Sequence, residues 1–141
     1  MNFKKLFGLK RSDAGSGERT AKKTILVVDD DPDVVKYETF ILEDAGFNVL
    51  AAEKGGEGLK IARNQLPDMI LLDIDLPTLG GFQFCRMLKE NPKTSHIPVI
   101  MVSGLDKMED YLRSAREGAE AFVGKPIDRA ELLNKIKIHL P

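Results

Sequence analysis

The feature that most constrains the fold of this chain is the segment Asp68–Pro77, DMILLDIDLP. Within it, Met69–Leu72 is apolar without alternation and ends abruptly at Asp73. Such an unbroken apolar run is typical of a strand buried on both faces, as in parallel sheets covered by helices. Because open α/β sheets bind ligands at the carboxyl ends of their strands, Asp73 stands where a site can form.

Three other short apolar runs are also followed by residues that carry chemistry. They are residues 24–28 before Asp29, Asp30 and Asp31, residues 97–102 before Ser103 and Gly104, and residues 121–124 before Lys125 and Pro126. If these strands are parallel, their carboxyl ends lie along one edge of the sheet. That edge then gathers acids, a hydroxyl and a lysine.

Helical segments are predicted between the strands. A first helix begins at Pro32, and its apolar residues at helical spacing are Val34, Val35, Phe40, Ile41 and Leu42. A second short strand is predicted over residues 47–51, and further helices over residues 55–65, from Gly80-Gly81 to Asn91-Pro92, and over residues 107–117, with a last one capped by Asp128. Strands that alternate with helices at this spacing predict an α/β fold with a parallel sheet.

Composition and charge indicate one folded domain with a basic extension. The 141 residues suffice for a single domain with a substantial core. Residues 1–23 carry a net charge of +5, whereas residues 24–141 have 14 basic and 20 acidic residues, a net charge of −6. The net negative charge of residues 24–141 argues against a nucleic-acid-binding surface on the folded domain. We expect a flexible extension over residues 1–23 and a domain over residues 24–141, with residues 1–11 as a candidate contact for an anionic membrane surface or a docking partner.

The single cysteine and the lack of targeting signals indicate a cytoplasmic protein. Cys85 has no partner for an internal disulfide, which agrees with a reducing compartment. The first residues lack the apolar segment of a secretory signal, and no run approaches the length of a transmembrane helix.

The acids at the strand ends favour a magnesium site that handles a phosphoryl group. Neighbouring carboxylates repel one another, and Mg²⁺ accepts one or two of them and usually completes its shell with waters and phosphate oxygens. Asp29, Asp30 and Asp73 are the candidate ligands, and Lys125 and Ser103 can contact phosphoryl oxygens. Asp73, at the end of the central strand, is the best candidate for a carboxylate nucleophile that forms an acyl phosphate.

These motifs, in this order and spacing, resemble the receiver domain of two-component response regulators. The residues that carry the resemblance are Asp29-Asp30, the LLD-x-x-x-P sequence of Leu71–Pro77, Ser103-Gly104 and Lys125-Pro126. The family implies a doubly wound five-stranded parallel sheet, the flavodoxin-like fold, and transfer of a phosphoryl group from a sensor kinase histidine to Asp73. It also implies Mg²⁺ held by Asp30 and Asp73 directly, by Asp29 mainly through water and by the backbone carbonyl of Asp75.

The same resemblance implies a conformational switch. On phosphorylation Ser103 would move toward Asp73, and Phe122 would turn inward, so that the last two helices and the fifth strand form the readout surface. Asp75 and Leu105 occupy positions that modulate hydrolysis of the phosphoryl group in the family. An apolar Leu105 cannot orient a water molecule, so we expect a moderate to long phosphoryl lifetime.

Three functional classes follow from these residues. The first is a stand-alone response regulator that receives its phosphoryl group from a sensor histidine kinase or a phosphotransfer protein and switches its affinity for a downstream protein. Since the chain stops at Pro141, directly after the last predicted helix, we expect output through another protein. The second is a receiver-like scaffold that acts without phosphorylation. The third is a metal-dependent aspartyl-phosphate phosphatase, since Asp73-Ile74-Asp75 also resembles the paired aspartates of haloacid-dehalogenase-type enzymes. In the first class the only catalysis is the domain's own phosphorylation and dephosphorylation.

Overall fold

The computed structural model describes residues 22–104 and 107–140, in which strands and helices alternate. The strands are β1 (Thr24–Val28), β2 (Asn48–Ala52), β3 (Met69–Asp73), β4 (Val99–Ser103) and β5 (Ala121–Gly124). The helices are α1 (Pro32–Asp44), α2 (Gly55–Gln65), α3 (Gly81–Glu90), α4 (Lys107–Arg116) and α5 (Arg129–His139). The expected elements are therefore present, with β2 displaced by one residue and α4 ending one residue earlier.

All five strands pair in parallel in the order β2-β1-β3-β4-β5. The uninterrupted apolar strand, β3, lies at the centre of the sheet, and its five residues are buried. The register places Val28 beside Leu72 and Asp73 beside Val102, so β1, β3 and β4 end at nearly the same level. This alignment brings the residues after the strands to one edge of the sheet.

Alternate side chains of each strand enter two hydrophobic cores on opposite faces of the sheet. In β1, Leu26 and Val28 belong to one core, and Ile25 and Val27 to the other. The first core includes side chains of α2 and α3, and the second includes side chains of α1 and α5. Helix α4 lies against β4 and β5. The predicted parallel sheet with helices on both faces is confirmed.

Helix α1 departs in one respect from the apolar pattern read in the sequence. Ile41 and Leu42 are buried as expected, but Phe40 is 62% exposed. The inward position between Val34 and Leu42 is instead occupied by Glu38, whose exposed fraction is 1%. Residues four apart share a helix face, so the stripe runs through Val34, Glu38 and Leu42 and leaves Phe40 to one side.

Two expectations concern residues outside the part of the chain that the structure describes. The suggested contact through residues 1–11 lies outside it, as does Leu105, and both stay predictions. Among the described residues, no helix is both long and apolar enough to traverse a bilayer.

Candidate functional site

Three acids predicted as metal ligands lie together at the carboxyl edge of the sheet. Each acid contributes one carboxylate oxygen, and these three oxygens, from Asp29, Asp30 and Asp73, lie within 4.8 Å of one another. Asp29 and Asp30 directly follow β1, and Asp73 is the last residue of β3, which is paired with β1. Asp29 and Asp73 are buried and Asp30 is exposed, so the cluster opens to solvent on one side.

Backbone amides fix the orientation of the two buried carboxylates. The amide of Asp31 donates to Asp29 Oδ1 at 2.9 Å, and the amide of Asp75 donates to Asp73 Oδ1 at 3.2 Å. Each acid thus receives a hydrogen bond from the residue two positions later, because the chain turns directly after each strand. The side chain of Asp75 is exposed beside this turn.

Lys125 reaches the same cluster from β5, on the other side of β4. Its Nζ lies 3.1 Å from Asp29 Oδ2 and 3.6 Å from Asp73 Oδ1. Its backbone amide donates to the carbonyl oxygen of Ser103 at 2.7 Å, which holds the residue against the end of β4. The peptide bond to Pro126 is cis. Four of the predicted site residues, Asp29, Asp30, Asp73 and Lys125, are therefore gathered in one place.

The electrostatics of the cluster show an excess of negative charge. Burial, and then the neighbouring charge of Asp29, raises the pKa of Asp73 to about 6, although Lys125 and the hydrogen bond from Asp75 oppose this. Burial alone lowers the pKa of Lys125, but the charges of Asp73 and Asp29 outweigh burial, so the pKa is raised and the ammonium stays charged. The single positive charge of Lys125 therefore does not balance the negative charges of the three acids.

This donor set suits a hard divalent cation. Mg²⁺ takes oxygen ligands, commonly one or two carboxylates with water and phosphate oxygens, and the cluster offers three carboxylates at one solvent-facing edge. Asp29 Oδ2 is buried and, apart from the Lys125 ion pair, accepts no well-aligned hydrogen bond. A buried oxygen with spare lone pairs is what a cation or its bound water would use.

The loop that follows Asp73 turns back tightly onto the strand end. Ile74 and Leu76 are buried, and the amide of Gly81 donates to the Ile74 carbonyl at 2.9 Å. A Cβ atom on Gly81 would lie 2.3 Å from the backbone oxygen of Asp73 and 2.6 Å from Cα of Ile74. Gly81 therefore lets α3 begin against the backbone of Asp73.

Replacing Gly81 by alanine is expected to destabilise the domain by about 1–3 kcal/mol, because backbone atoms at the end of β3 must move to admit the methyl group. Gly56→Ala is the matched control. It also adds one methyl group to a helical glycine, but its Cβ would meet nothing within 4 Å. Helix propensity should make that variant equal to or up to about 1 kcal/mol more stable than the parent. Urea unfolding measures both, and an unchanged midpoint for Gly81→Ala would contradict the close approach.

The two predicted switch residues, Ser103 on β4 and Phe122 on the neighbouring β5, both contact side chains of α4. Ser103, fully buried, is the last residue of β4, and its hydroxyl donates to Asp110 Oδ2 at 2.5 Å. Phe122 of β5 is partly buried and meets the ring of Tyr111 edge to face, with centroids 6.0 Å apart. Both contacts are made by the first half of α4.

Two acids near the site were not found from the sequence. Glu38 faces the cluster from α1, and burial, then the charge of Asp29, raises its pKa to about 8, with Lys125 opposing. Its spacing of four residues from both Val34 and Leu42 is the signal that could have revealed it, since it marks a polar residue in a core position. No such signal marks Asp110. The buried residue four positions after it in α4 is Ser114, which is polar, so apolar spacing does not identify the buried face of this helix.

Comparison with known proteins shows the family. Residues 25–137 match the model of the response regulator receiver domain. The chain is 44% identical over 112 residues to Protein PilH of Pseudomonas aeruginosa, which covers 79% of this chain and 93% of that protein. Such coverage means that PilH, like the described part of this chain, consists almost entirely of the shared domain.

Solved structures give the same answer for the fold. The chemotaxis protein CheY4 of Vibrio cholerae superposes with a TM-score of 0.79 at 27% identity, covering 85% of this chain and all of that one. The receiver domain of the sensor histidine kinase PA1611 of Pseudomonas aeruginosa superposes with a TM-score of 0.78 at 26% identity, covering 84% and 98%. That structure holds a magnesium ion coordinated in its active site cleft. The chain described here belongs to the response regulator receiver domain family.

Proposed function

We propose that this domain accepts a phosphoryl group on Asp73 and thereby switches its affinity for a downstream protein. The observation that carries the proposal is the convergence of Asp29, Asp30 and Asp73 within 4.8 Å, with Lys125 paired to two of them. The donor would be a phosphohistidine of a sensor histidine kinase or a phosphotransfer protein. Membership of the receiver family and the magnesium ion in the PA1611 receiver domain support this assignment.

Asp73 would act as the nucleophile. Its carboxylate oxygen forms a bond to phosphorus while the bond from phosphorus to the donor imidazole nitrogen breaks, and the imidazole leaves with the electron pair. The Asp75 amide fixes one Asp73 oxygen at 3.2 Å, so the nucleophile is oriented before the donor arrives. Lys125 Nζ, 3.6 Å from the same oxygen, would neutralise charge on the transferred group.

Mg²⁺ held by Asp29, Asp30 and Asp73, with the backbone carbonyl of Asp75, would supply charge neutralisation for the phosphoryl oxygens. It would also lower the pKa of Asp73, which burial and Asp29 hold at about 6, and keep the nucleophile ionised. Ser103 would donate to a phosphoryl oxygen after moving toward Asp73. Phe122 would move with it.

We place the contact with the downstream protein on α4, β5 and α5. Large apolar side chains are exposed on both helices, namely Met108, Tyr111, Leu112 and Ile138, with exposed fractions of 48–69%. Tyr111 contacts Phe122, so this surface is linked to a predicted switch residue. Grouped exposed apolar side chains mark interaction surfaces more often than scattered ones do.

Acetyl phosphate, a small phosphoryl donor, tests the proposal and its dependence on metal. With Mg²⁺ present, we expect the intact protein to gain the mass of one phosphoryl group, in an alkali-labile form. Excess EDTA should reduce uptake to background, because the single ammonium of Lys125 does not offset the repulsion between the three acids and the donor, and added Mg²⁺ should restore it. Mass spectrometry of the intact chain measures all three conditions.

Other outcomes of the same assay would point to the other functional classes. A folded protein that takes up no phosphoryl group from acetyl phosphate or from a phosphohistidine donor would be a scaffold. Turnover of an added phosphomonoester would indicate a phosphatase. Equal uptake with and without EDTA would contradict the role given to the metal.

A further inference from the structure

The hydroxyl of Ser103 is engaged by an acid of α4. Ser103 is fully buried, and its Oγ donates to Asp110 Oδ2 at 2.5 Å. A hydrogen bond from a hydroxyl to a carboxylate at this length is among the stronger side-chain contacts. The hydroxyl of Ser114, which is also buried, donates to the backbone oxygen of Asp110 at 2.6 Å. This second bond is made on the side of α4 that faces the protein interior.

The next residue of α4 contacts the other predicted switch position. Tyr111 and Phe122 meet edge to face, with ring centroids 6.0 Å apart and planes at 79°. Two successive residues of α4 therefore contact the two side chains that the proposed function requires to move. Asp110 also acts on the acidic edge itself, because the pKa of Asp75 is raised by burial and then by the charge of Asp110.

We propose that Asp110 is a positioning residue that latches Ser103 in the unphosphorylated arrangement, so that phosphorylation must break this bond and release the first half of α4. The proposal rests on the proposed function. Its chemical basis is that a serine hydroxyl has one proton to donate, which cannot serve both the Asp110 carboxylate and a phosphoryl oxygen. A phosphoryl group on Asp73 would also repel the Asp110 carboxylate.

The latch has a thermodynamic consequence. A contact made only in the unphosphorylated arrangement stabilises that arrangement and lowers the apparent affinity of the site for a phosphoryl group. Removing the contact should raise that affinity by the same factor by which the latch had lowered it.

Beryllofluoride with Mg²⁺, a stable mimic of an aspartyl phosphate, measures this affinity at equilibrium. The chain has two tyrosines and no tryptophan, so in a Tyr37→Phe background the intrinsic fluorescence reports on Tyr111 of α4. We expect Asp110→Ala to lower the Kd for beryllofluoride by about 5-fold or more. Asp110→Asn, which keeps a weaker acceptor and the same size, should give a smaller decrease, and it carries the test if the alanine variant does not fold.

A double-mutant cycle with Ser103→Ala separates the latch from simple removal of negative charge. If the latch acts through the hydroxyl, Asp110→Ala should change the Kd much less when Ser103 is already alanine. An equal change in both backgrounds would overturn the latch, since the effect would then be charge repulsion alone, and an unchanged Kd for Asp110→Ala would overturn it as well. Absence of beryllofluoride binding in every variant, the parent included, would instead overturn the proposed function and the latch with it.

Discussion

Replacing Asp73 by asparagine is expected to abolish phosphoryl uptake while leaving the domain at least as stable as the parent. Asparagine matches the size of the acid but lacks a carboxylate nucleophile, so no acyl phosphate can form at position 73. The buried carboxyl of Asp73 has its pKa raised from 3.8 to about 6, so wild-type stability falls as pH rises through this range. Without divalent metal, Asp73→Asn should gain about 1–3 kcal/mol at neutral pH.

Asp31→Asn is the matched control for this prediction. Asp31 is an exposed acid near the same edge, and its side chain caps α1 by accepting from the amide of Asp33. Asparagine caps a helix about as well as aspartate, so this variant loses the same charge without losing the cap. Uptake from acetyl phosphate and urea unfolding in EDTA measure both variants. Uptake by Asp73→Asn at the parent level would refute the assignment of the acceptor.

The parallel sheet could be predicted because the apolar pattern of each strand agrees with the position of that strand in the fold. Every side chain of Met69–Leu72 is apolar because β3 is covered by helices on both faces. Asp73 follows where the strand leaves the core. Parallel pairing then brings Asp29 beside Asp73 without any further information. The approach of Lys125 depends on the strand order, which places β5 beyond β4, and neither the apolar pattern nor the spacing of the strands specifies that order.

The side chains that join the helices to the site were harder to predict. Helix α4 buries Ser114 and directs Asp110 toward Ser103, while its apolar residues Met108 and Leu112 are exposed. Hydrophobic periodicity assigns the apolar stripe to the core, so it gives the wrong inward face for such a helix. In α1 the spacing of Glu38, four residues from both Val34 and Leu42, places this acid on the buried face.

Glu38 gives the second large effect, which is a dependence of stability on pH that a single substitution should remove. The carboxyl is buried, one of its oxygens accepts no hydrogen bond, and burial and Asp29 raise its pKa from 4.5 to about 8. An acid whose pKa is higher in the folded state binds its proton more tightly there. Its contribution to stability is therefore complete below about pH 4.5 and is lost as pH rises toward 8, by up to about 1.4 kcal/mol per pH unit.

Glu38→Gln should remove this dependence, because the amide keeps the size of the side chain but does not ionise. We expect the free energy of unfolding of the variant to match that of the parent near pH 4.5 and to exceed it by about 2–4 kcal/mol at pH 8. Glu43→Gln makes the same change at an exposed position of the same helix, and this control should stay within about 0.5 kcal/mol of the parent. Urea unfolding from pH 4.5 to 8.5 in EDTA measures the difference. The raised pKa of Asp73 also affects each curve, but Asp73 is present in all three proteins, so its effect cancels in the comparison. Parallel curves for Glu38→Gln and the parent would show that Glu38 is ionised in the folded domain, held by Lys125 despite its burial.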